Sequence, residues 1–212
     1  MQMQMQMAYE EMQMTPLSAI ADAFEELADK LDNGKKEFRL KAFCDACDLV
    51  SVLFNSLGIA FKFAEMEYCA KVRGLSEASK RYDTLDNILD VDVQNDTVKS
   101  PGSLSRNLRR VRQGLDLIRA LFEQFLSSYE SSLREAASLA YSQTCAPYHS
   151  WAVRAAVSAG MYTLPSRDQL LENLHETDES AEDRMKRYVM AAHPVIQYID
   201  KLYISRNISL DW

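Results

Sequence analysis

Arg106 and Arg110 stand four residues apart in a stretch of helical periodicity, which sets two guanidinium forks on one strip. Two positive charges at that spacing repel unless an anion lies between them, and the planar forks suit phosphate oxygens. On this stretch alone two readings stand. The long stems cover apolar surface while their heads reach water, or the pair faces an anionic group. Glu67 and Lys71 form a second i, i+4 pair in acid-before-base order. They read either as a solvated helix pair worth about 0.3–0.5 kcal/mol or as an acceptor for a polar ligand group beside a further cation. His149, two residues before Trp151, is compatible with a satisfied structural histidine and with a ligand contact.

Other chemistries lack their parts. Cys44 and Cys47 make a C-x-x-C, but Cys69 and Cys145 are singletons far from His149, His175 and His193. A zinc site needs a second ligand pair and a redox site a strand-to-helix turn, so reduced, buried core thiols are expected. There is no G-x-S-x-G nucleophile turn and no HExxH helix. His149 and Glu67 have no evident third partner for a triad. The expectation is a protein that is not an enzyme and holds neither cofactor nor metal.

A net charge of -7 provides no long-range attraction for nucleic acid or anionic membranes, so nucleic acid is not an expected partner and any anion site must be local. The 212 residues suit one domain with its own core. The opening MQMQMQM lacks the charged start and apolar centre of a signal peptide; residues 1–14 are expected to be a disordered, low-complexity terminus preceding a domain over 15–212. No apolar run approaches the roughly 20 residues that span a bilayer.

The elements that must carry these side chains are helices. Six glycines, five prolines and few runs of alternating polarity argue for an all-α chain. Thr15-Pro16 reads as an N-cap followed by a first-turn proline, and Leu17, Ile20, Phe24, Leu27 and Leu31 recur at helical spacing up to Asn33-Gly34. Further helical segments run from Phe38 to Gly58, from Ile59 to Gly74 and over Leu75–Leu89, and Asn95 to Ser105 reads as a loop. After it come helices over about Arg106–Ser128, Leu133–Cys145, Pro147–Tyr162, Ser166–Leu174 and Ala181–Tyr203. Ser166 and Gln169 fit a capping box.

In the helix bearing the two arginines, at about 100° per residue, Leu104, Leu108, Val111, Leu115, Ile118 and Phe122 form a core stripe. Arg109, Arg112, Asp116, Arg119 and Glu123 gather opposite it and read as a solvated face. Arg106 and Arg110 lie on a third strip that continues into Gly114, Leu117, Leu121 and, at its edge, Phe125. The strip is cationic at one end and apolar at the other, which fits arginine stems lying over apolar surface and equally fits an amphiphile bound lengthwise.

Several segments in order resemble the glycolipid transfer protein superfamily, specifically its plant accelerated-cell-death branch. They are LGIAFKFAEMEYCAKV (Leu57 to Val72), GSLSRNLRRVRQGLD (Gly102 to Asp116), LFEQ (Leu121 to Gln124), APYHSWAVRAAVSAGMYTLP (Ala146 to Pro165) and the terminal Asp211-Trp212. The resemblance implies a two-layer, all-helical sandwich of about eight helices around a slot for lipid chains. Carried over by residue, it implies that Lys71, Arg106 and Arg110 contact a phosphate. His149 would bond a ceramide amide carbonyl, and Glu67 would receive the amide N–H and a sphingoid hydroxyl. Glu67 stands where the family usually has aspartate, so Glu67→Asp is expected to alter selectivity. Arginine at 110, where glycolipid-binding relatives carry a sugar-stacking tryptophan, implies phosphate over sugar and hence ceramide-1-phosphate.

The implied activity is intermembrane transfer of that phosphorylated sphingolipid by a cytoplasmic monomer that touches membranes transiently. At about 0.8 kcal/mol per methylene, exposing a sixteen-carbon chain to water costs on the order of 12 kcal/mol, a penalty that an apolar slot largely removes. Phe61, Leu117, Leu121, Phe125 and Val157 are candidate slot residues, each equally suited to an ordinary core. Trp151 and Tyr162 are candidate membrane anchors, with Lys99 near anionic headgroups. The competing reading is a lipid-sensing regulator of cell death or defence, with a protein partner and with transfer incidental.

Overall fold

The structure is a computed structural model and describes residues 14–32 and 38–212. Its α-helices are α1 (Pro16–Asp32), α2 (Leu40–Ser56), α3 (Lys62–Ala78), α4 (Leu85–Gln94), α5 (Leu104–Ser127), α6 (Leu133–Thr144), α7 (Trp151–Gly160), α8 (Arg167–Asn173) and α9 (Asp178–Ile204). Single 3-10 turns cover Ile59–Phe61, Ala146–Tyr148 and Met161–Thr163. The described residues thus form the expected all-helical, two-layer sandwich, with nine α-helices and no strand beyond one isolated bridge between Arg39 and Thr84. The readings of residues 1–14 as a disordered terminus and of Asn33-Gly34 as a helix stop lie outside the described residues, apart from exposed Met14.

Helix starts follow their capping chemistry. The Thr15 hydroxyl receives the Ser18 amide at 3.2 Å ahead of Pro16, and Ser103 receives the Arg106 amide at 3.1 Å at the head of α5. Ser166 caps α8 by accepting from the Gln169 amide, which is half of the box expected there. After α2 the chain turns at Gly58, whose φ of 90° is reached without strain by a residue lacking a Cβ.

Packing runs in a closed circuit, α1 on α2, α2 on α3, α3 on α5, α5 on α9 and α9 back on α1, with α6 also against α5. At 24 residues, α5 is about 36 Å long and touches most of the other helices. Of its expected core stripe, Leu108, Val111, Leu115, Ile118 and Phe122 are buried, and Leu104 in the first turn is partly buried against the core. Phe24 and Phe122 meet the Tyr188 ring at centroid distances of 5.0 and 5.6 Å, and the Tyr188 hydroxyl donates to the Leu115 carbonyl at 3.0 Å.

Two sequence readings are corrected. The face bearing Arg109, Arg112, Asp116 and Arg119 is not solvated. Arg109 is only 2 % exposed and the other three are largely covered: Asp200 of α9 pairs with Arg109 and Arg112, and Asp116 pairs with Arg112 and Arg119, while Glu123 alone of the five expected residues is exposed. Gly74 does not end a helix: α3 continues to Ala78, and a Cβ at position 74 would stand 2.9 Å from the Asn107 side chain of α5. The glycine marks a close helix crossing, and the chain breaks later, before Thr84 caps α4.

Cys44, Cys47 and Cys145 are buried free thiols, and Cys69 is half-buried. Burial, aided by Asp45, pushes the Cys44 thiol up to about 12, and burial pushes Cys145 to about 11. These thiols stay protonated and unreactive at neutral pH.

Candidate functional site

The arginine-bearing end of α5 is fixed before any ligand is considered. Asp92 at the end of α4 is buried, and its carboxylate accepts the Ser105 amide at 2.7 Å and the Thr97 hydroxyl at 3.0 Å. A carboxylate there satisfies an otherwise unpaired helix N–H and suits the positive end of the helix dipole. From there on, the four arginines at 106, 109, 110 and 112 divide between two tasks.

Arg109 and Arg112 hold the fold together. Arg109 bonds Asp200 at 3.3 Å and donates to the Leu210 carbonyl at 2.7 Å and the Trp212 carbonyl at 3.3 Å. Arg112 grips Asp200 through two bonds of 2.8 and 2.6 Å and reaches Asp116 at 2.7 Å. Arg106 and Arg110, by contrast, bond neutral acceptors. Arg106 donates to the Lys99 carbonyl at 2.7 Å and Arg110 to Oε1 of Gln113 at 2.9 Å. Neither meets a carboxylate among the described residues, so both keep an uncompensated positive charge. Burial lowers the Arg110 pKa, and the neighbouring Arg106 and Arg109 lower it further, which is the electrostatic mark of a site short of negative charge.

Both guanidiniums line a cavity of about 540 Å³. Its other polar lining is Glu67 and Lys71 from α3, Gln113 from α5, Tyr141 from α6, and Cys145 and His149 from the α6–α7 connection. Its apolar lining is Phe54, Phe61, Phe63, Ala64, Tyr68, Gly114, Leu117, Val153 and Val157. The cavity therefore joins a cationic end to an oily wall along the strip Arg106–Arg110–Gly114–Leu117. The Lys71 ammonium lies 3.7 Å from the Glu67 carboxylate, a loose and half-exposed pair. The Tyr141 hydroxyl lies 2.8 Å from Nδ1 of His149. Burial, then the charge of Arg110, lowers the His149 pKa and holds the ring neutral at pH 7.

All five residues expected to meet a headgroup, Glu67, Lys71, Arg106, Arg110 and His149, thus line one cavity, together with Phe61, Leu117 and Val157 from the expected chain-facing set. Leu121 and Phe125 do not. They are buried further along α5, and the Arg167 guanidinium covers the Phe125 ring at 3.7 Å. The strip outlasts the cavity, because α5 is longer than the space opened beside it.

Trp151 and Tyr162 are 77 and 75 % exposed. They belong to the segment α7 and its following turn, where α7 is apolar in composition yet buries none of its residues. Ile59, 85 % exposed, sits in the turn packed against that segment, and exposed Phe63 lies on the cavity wall. A contiguous exposed apolar surface of this kind marks a contact surface. Lys99 is elsewhere, its ammonium 5.4 Å above the Trp212 ring and 3.4 Å from the Ser209 hydroxyl. Sequence reasoning missed Gln113, Tyr141, Tyr68, Phe54, Phe63 and Val153. The i+3 step from Arg110 signals Gln113, but nothing in the spacing links Tyr141 to a histidine across a helix end.

Comparison with known proteins agrees with this architecture. The family model described as "Glycolipid transfer protein (GLTP)" matches residues 38–176. The chain belongs to the glycolipid transfer protein family. It is 64 % identical over 204 residues to the ACD11 homolog protein of Arabidopsis thaliana, covering 93 % of this chain and 89 % of that one. It is 46 % identical over 198 residues to Accelerated cell death 11 of the same plant, covering 93 and 96 %. A crystal structure of a point variant of the Arabidopsis accelerated-cell-death 11 protein, complexed with C12 ceramide-1-phosphate, superposes with a TM-score of 0.92 at 44 % identity, covering 94 % of this chain and all of that one. The part matched to the glycolipid transfer protein model contains all five polar residues named above. The carbonyls of Leu210 and Trp212 that brace Arg109 lie beyond it.

Proposed function

We propose that this protein takes ceramide-1-phosphate out of one membrane and delivers it to another, as a carrier that makes and breaks no covalent bond. The observation that carries the reading is the pairing of Arg106 and Arg110, bonded only to neutral acceptors, with an apolar wall in the same cavity. Arg106, Arg110 and Lys71 hold the phosphate, Glu67 and His149 meet the amide region, and Phe61, Leu117 and Val157 receive the start of the chains. The proteins called accelerated cell death 11 and its homolog, and the crystallised complex with C12 ceramide-1-phosphate, support the choice of cargo.

Residues 15–212 act in this reading as one monomeric domain working in the cytosol. No helix of the described residues is long and apolar enough to cross a membrane. Contact is peripheral, through exposed Trp151, Tyr162 and Ile59. The second reading is a lipid-sensing regulator whose bound cargo changes its recognition of a protein partner; the names of the relatives, which refer to cell death, suggest the setting.

The test is vesicle-to-vesicle transfer of ceramide-1-phosphate against glucosylceramide by wild type and Arg110→Leu. Wild type is expected to move the phosphorylated lipid, and the variant to lose that cargo selectively. Equal rates in both proteins would remove Arg110 from headgroup recognition, and lipid retained one-to-one without transfer would favour the sensing role.

A further inference from the structure

Tyr141 and His149 stand on the two sides of a sharp corner. Helix α6 ends at Thr144, a 3-10 turn containing Pro147 reverses the chain, and His149 is extended, with φ of -105° and ψ of 146°. The histidine amide is secured to the Ala146 carbonyl at 3.2 Å and Ser150 starts α7. The imidazole is thus carried by a short connection, and the Tyr141 hydroxyl at 2.8 Å is the side-chain group that locates its ring.

A neutral imidazole has one donor nitrogen and one acceptor nitrogen, and the bond made by one decides the state of the other. We propose that Tyr141 is a positioning residue for cargo recognition: its hydroxyl donates to Nδ1 of His149 and so keeps the ring proton on Nε2, as the donor presented to the cargo's amide carbonyl. Three observations support this direction. Tyr141 is only 8 % exposed, and burial, then Cys145, raise its pKa, so the phenol keeps its proton and donates. His149 is held neutral by burial and by Arg110, so one of its two ring nitrogens keeps a lone pair with which to accept. Both residues line the cavity beside Arg110, so the ring orientation set by the phenol is felt where the headgroup lies. Without the hydroxyl, Nδ1 takes the proton part of the time, and Nε2 then offers a lone pair to a carbonyl oxygen that cannot donate.

This inference rests on the ceramide-1-phosphate reading, and its test separates the two. Tyr141→Phe keeps the ring packing and removes only the hydroxyl. In lipid-free wild type, long-range proton–nitrogen NMR, with His149 assigned by its loss in His149→Gln, is expected to find the proton on Nε2. In Tyr141→Phe the Nδ1–H form is expected to gain population. A wild-type ring already protonated on Nδ1, or one unchanged in the variant, overturns the proposal without any lipid present.

Transfer of ceramide-1-phosphate from vesicles is expected to fall roughly tenfold in Tyr141→Phe, the upper end for one net hydrogen bond. It should fall no further when Tyr141→Phe is added to His149→Ala. Equal losses in both backgrounds would show Tyr141 acting as cavity wall alone. Absence of transfer by wild type would sink the cargo reading, while the ring-nitrogen measurement would still decide the role of Tyr141.

Discussion

Arg109 and Arg110 are adjacent in sequence and opposite in fate: the first is sealed against Asp200 and the carbonyls of Leu210 and Trp212, while the second lines the cavity on the amide oxygen of Gln113. A step of about 100° along one helix separates a structural cation from one available to an anion. Arg109→Leu leaves Asp200 paired with Arg112, but it takes the guanidinium donor from the Leu210 and Trp212 carbonyls, at about 1–3 kcal/mol for each buried acceptor left unsatisfied, and empties a covered site. Arg109→Leu is therefore expected to lose several kcal/mol of stability in urea denaturation. Arg110→Leu, which releases a desolvated and repelled cation, is expected to stay within about 1 kcal/mol of wild type. Similar losses in both variants would contradict the division.

Gly114 sits mid-helix, where alanine would ordinarily be favoured by about 1 kcal/mol. Here a Cβ would lie 2.8 Å from the Tyr68 ring, and that ring is held by its hydroxyl donating to the Cys47 carbonyl at 2.8 Å. The overpacking cost, about 1–3 kcal/mol, outweighs the helix gain. Gly114→Ala is expected to lower the urea midpoint and, by driving Tyr68 toward the cavity it lines, to impair uptake of long-chain cargo more than short-chain cargo. Comparing transfer of the two chain lengths checks this; an unchanged ratio would show that the cavity wall absorbs the methyl group.

His149 carries a pH dependence whose sign follows from its lowered pKa. Burial, then Arg110, disfavour the protonated ring in the folded chain, so the unfolded chain takes up the proton first as pH falls. The stabilisation is complete above the unfolded value of about 6.5 and is lost as pH falls through the lower folded value. Lipid-free wild type should therefore lose more stability between pH 7.5 and 5.5 than His149→Phe does. Urea midpoints at the two pH values give the comparison, and parallel losses would count against the buried, neutral ring.

What could be read from the chain was what is periodic. Leu108 to Phe122 and the strip from Arg106 to Leu117 follow from helical spacing, and the structure places them accordingly. The misreadings were long-range. Arg109 and Arg112 look solvated because their carboxylate, Asp200, arrives from a helix 88 to 91 residues away. Gly74 looks like a helix stop because the Asn107 side chain that requires its small size belongs to α5. Leu121 and Phe125 continue the strip beyond the cavity, since periodicity gives direction around a helix but not the depth of the space beside it.

Glu67 tests how tightly the carboxylate at the cavity mouth is specified. Its side chain is 57 % exposed, and its partner Lys71 is 3.7 Å away, so the fold does not depend on the pair. Glu67→Asp should leave the urea midpoint unchanged while withdrawing the carboxylate by roughly one bond length, about 1.5 Å. Hydrogen bonds weaken over such a distance, and a headgroup with an amide N–H is the one that feels it. Competition between ceramide-1-phosphate and phosphatidic acid, which has the phosphate but no amide, isolates that contact. The variant is expected to shift the preference between the two lipids while total phosphate-dependent binding through Arg106 and Arg110 persists. An identical preference in both proteins would reduce Glu67 to a surface partner of Lys71 and leave the amide to His149 alone.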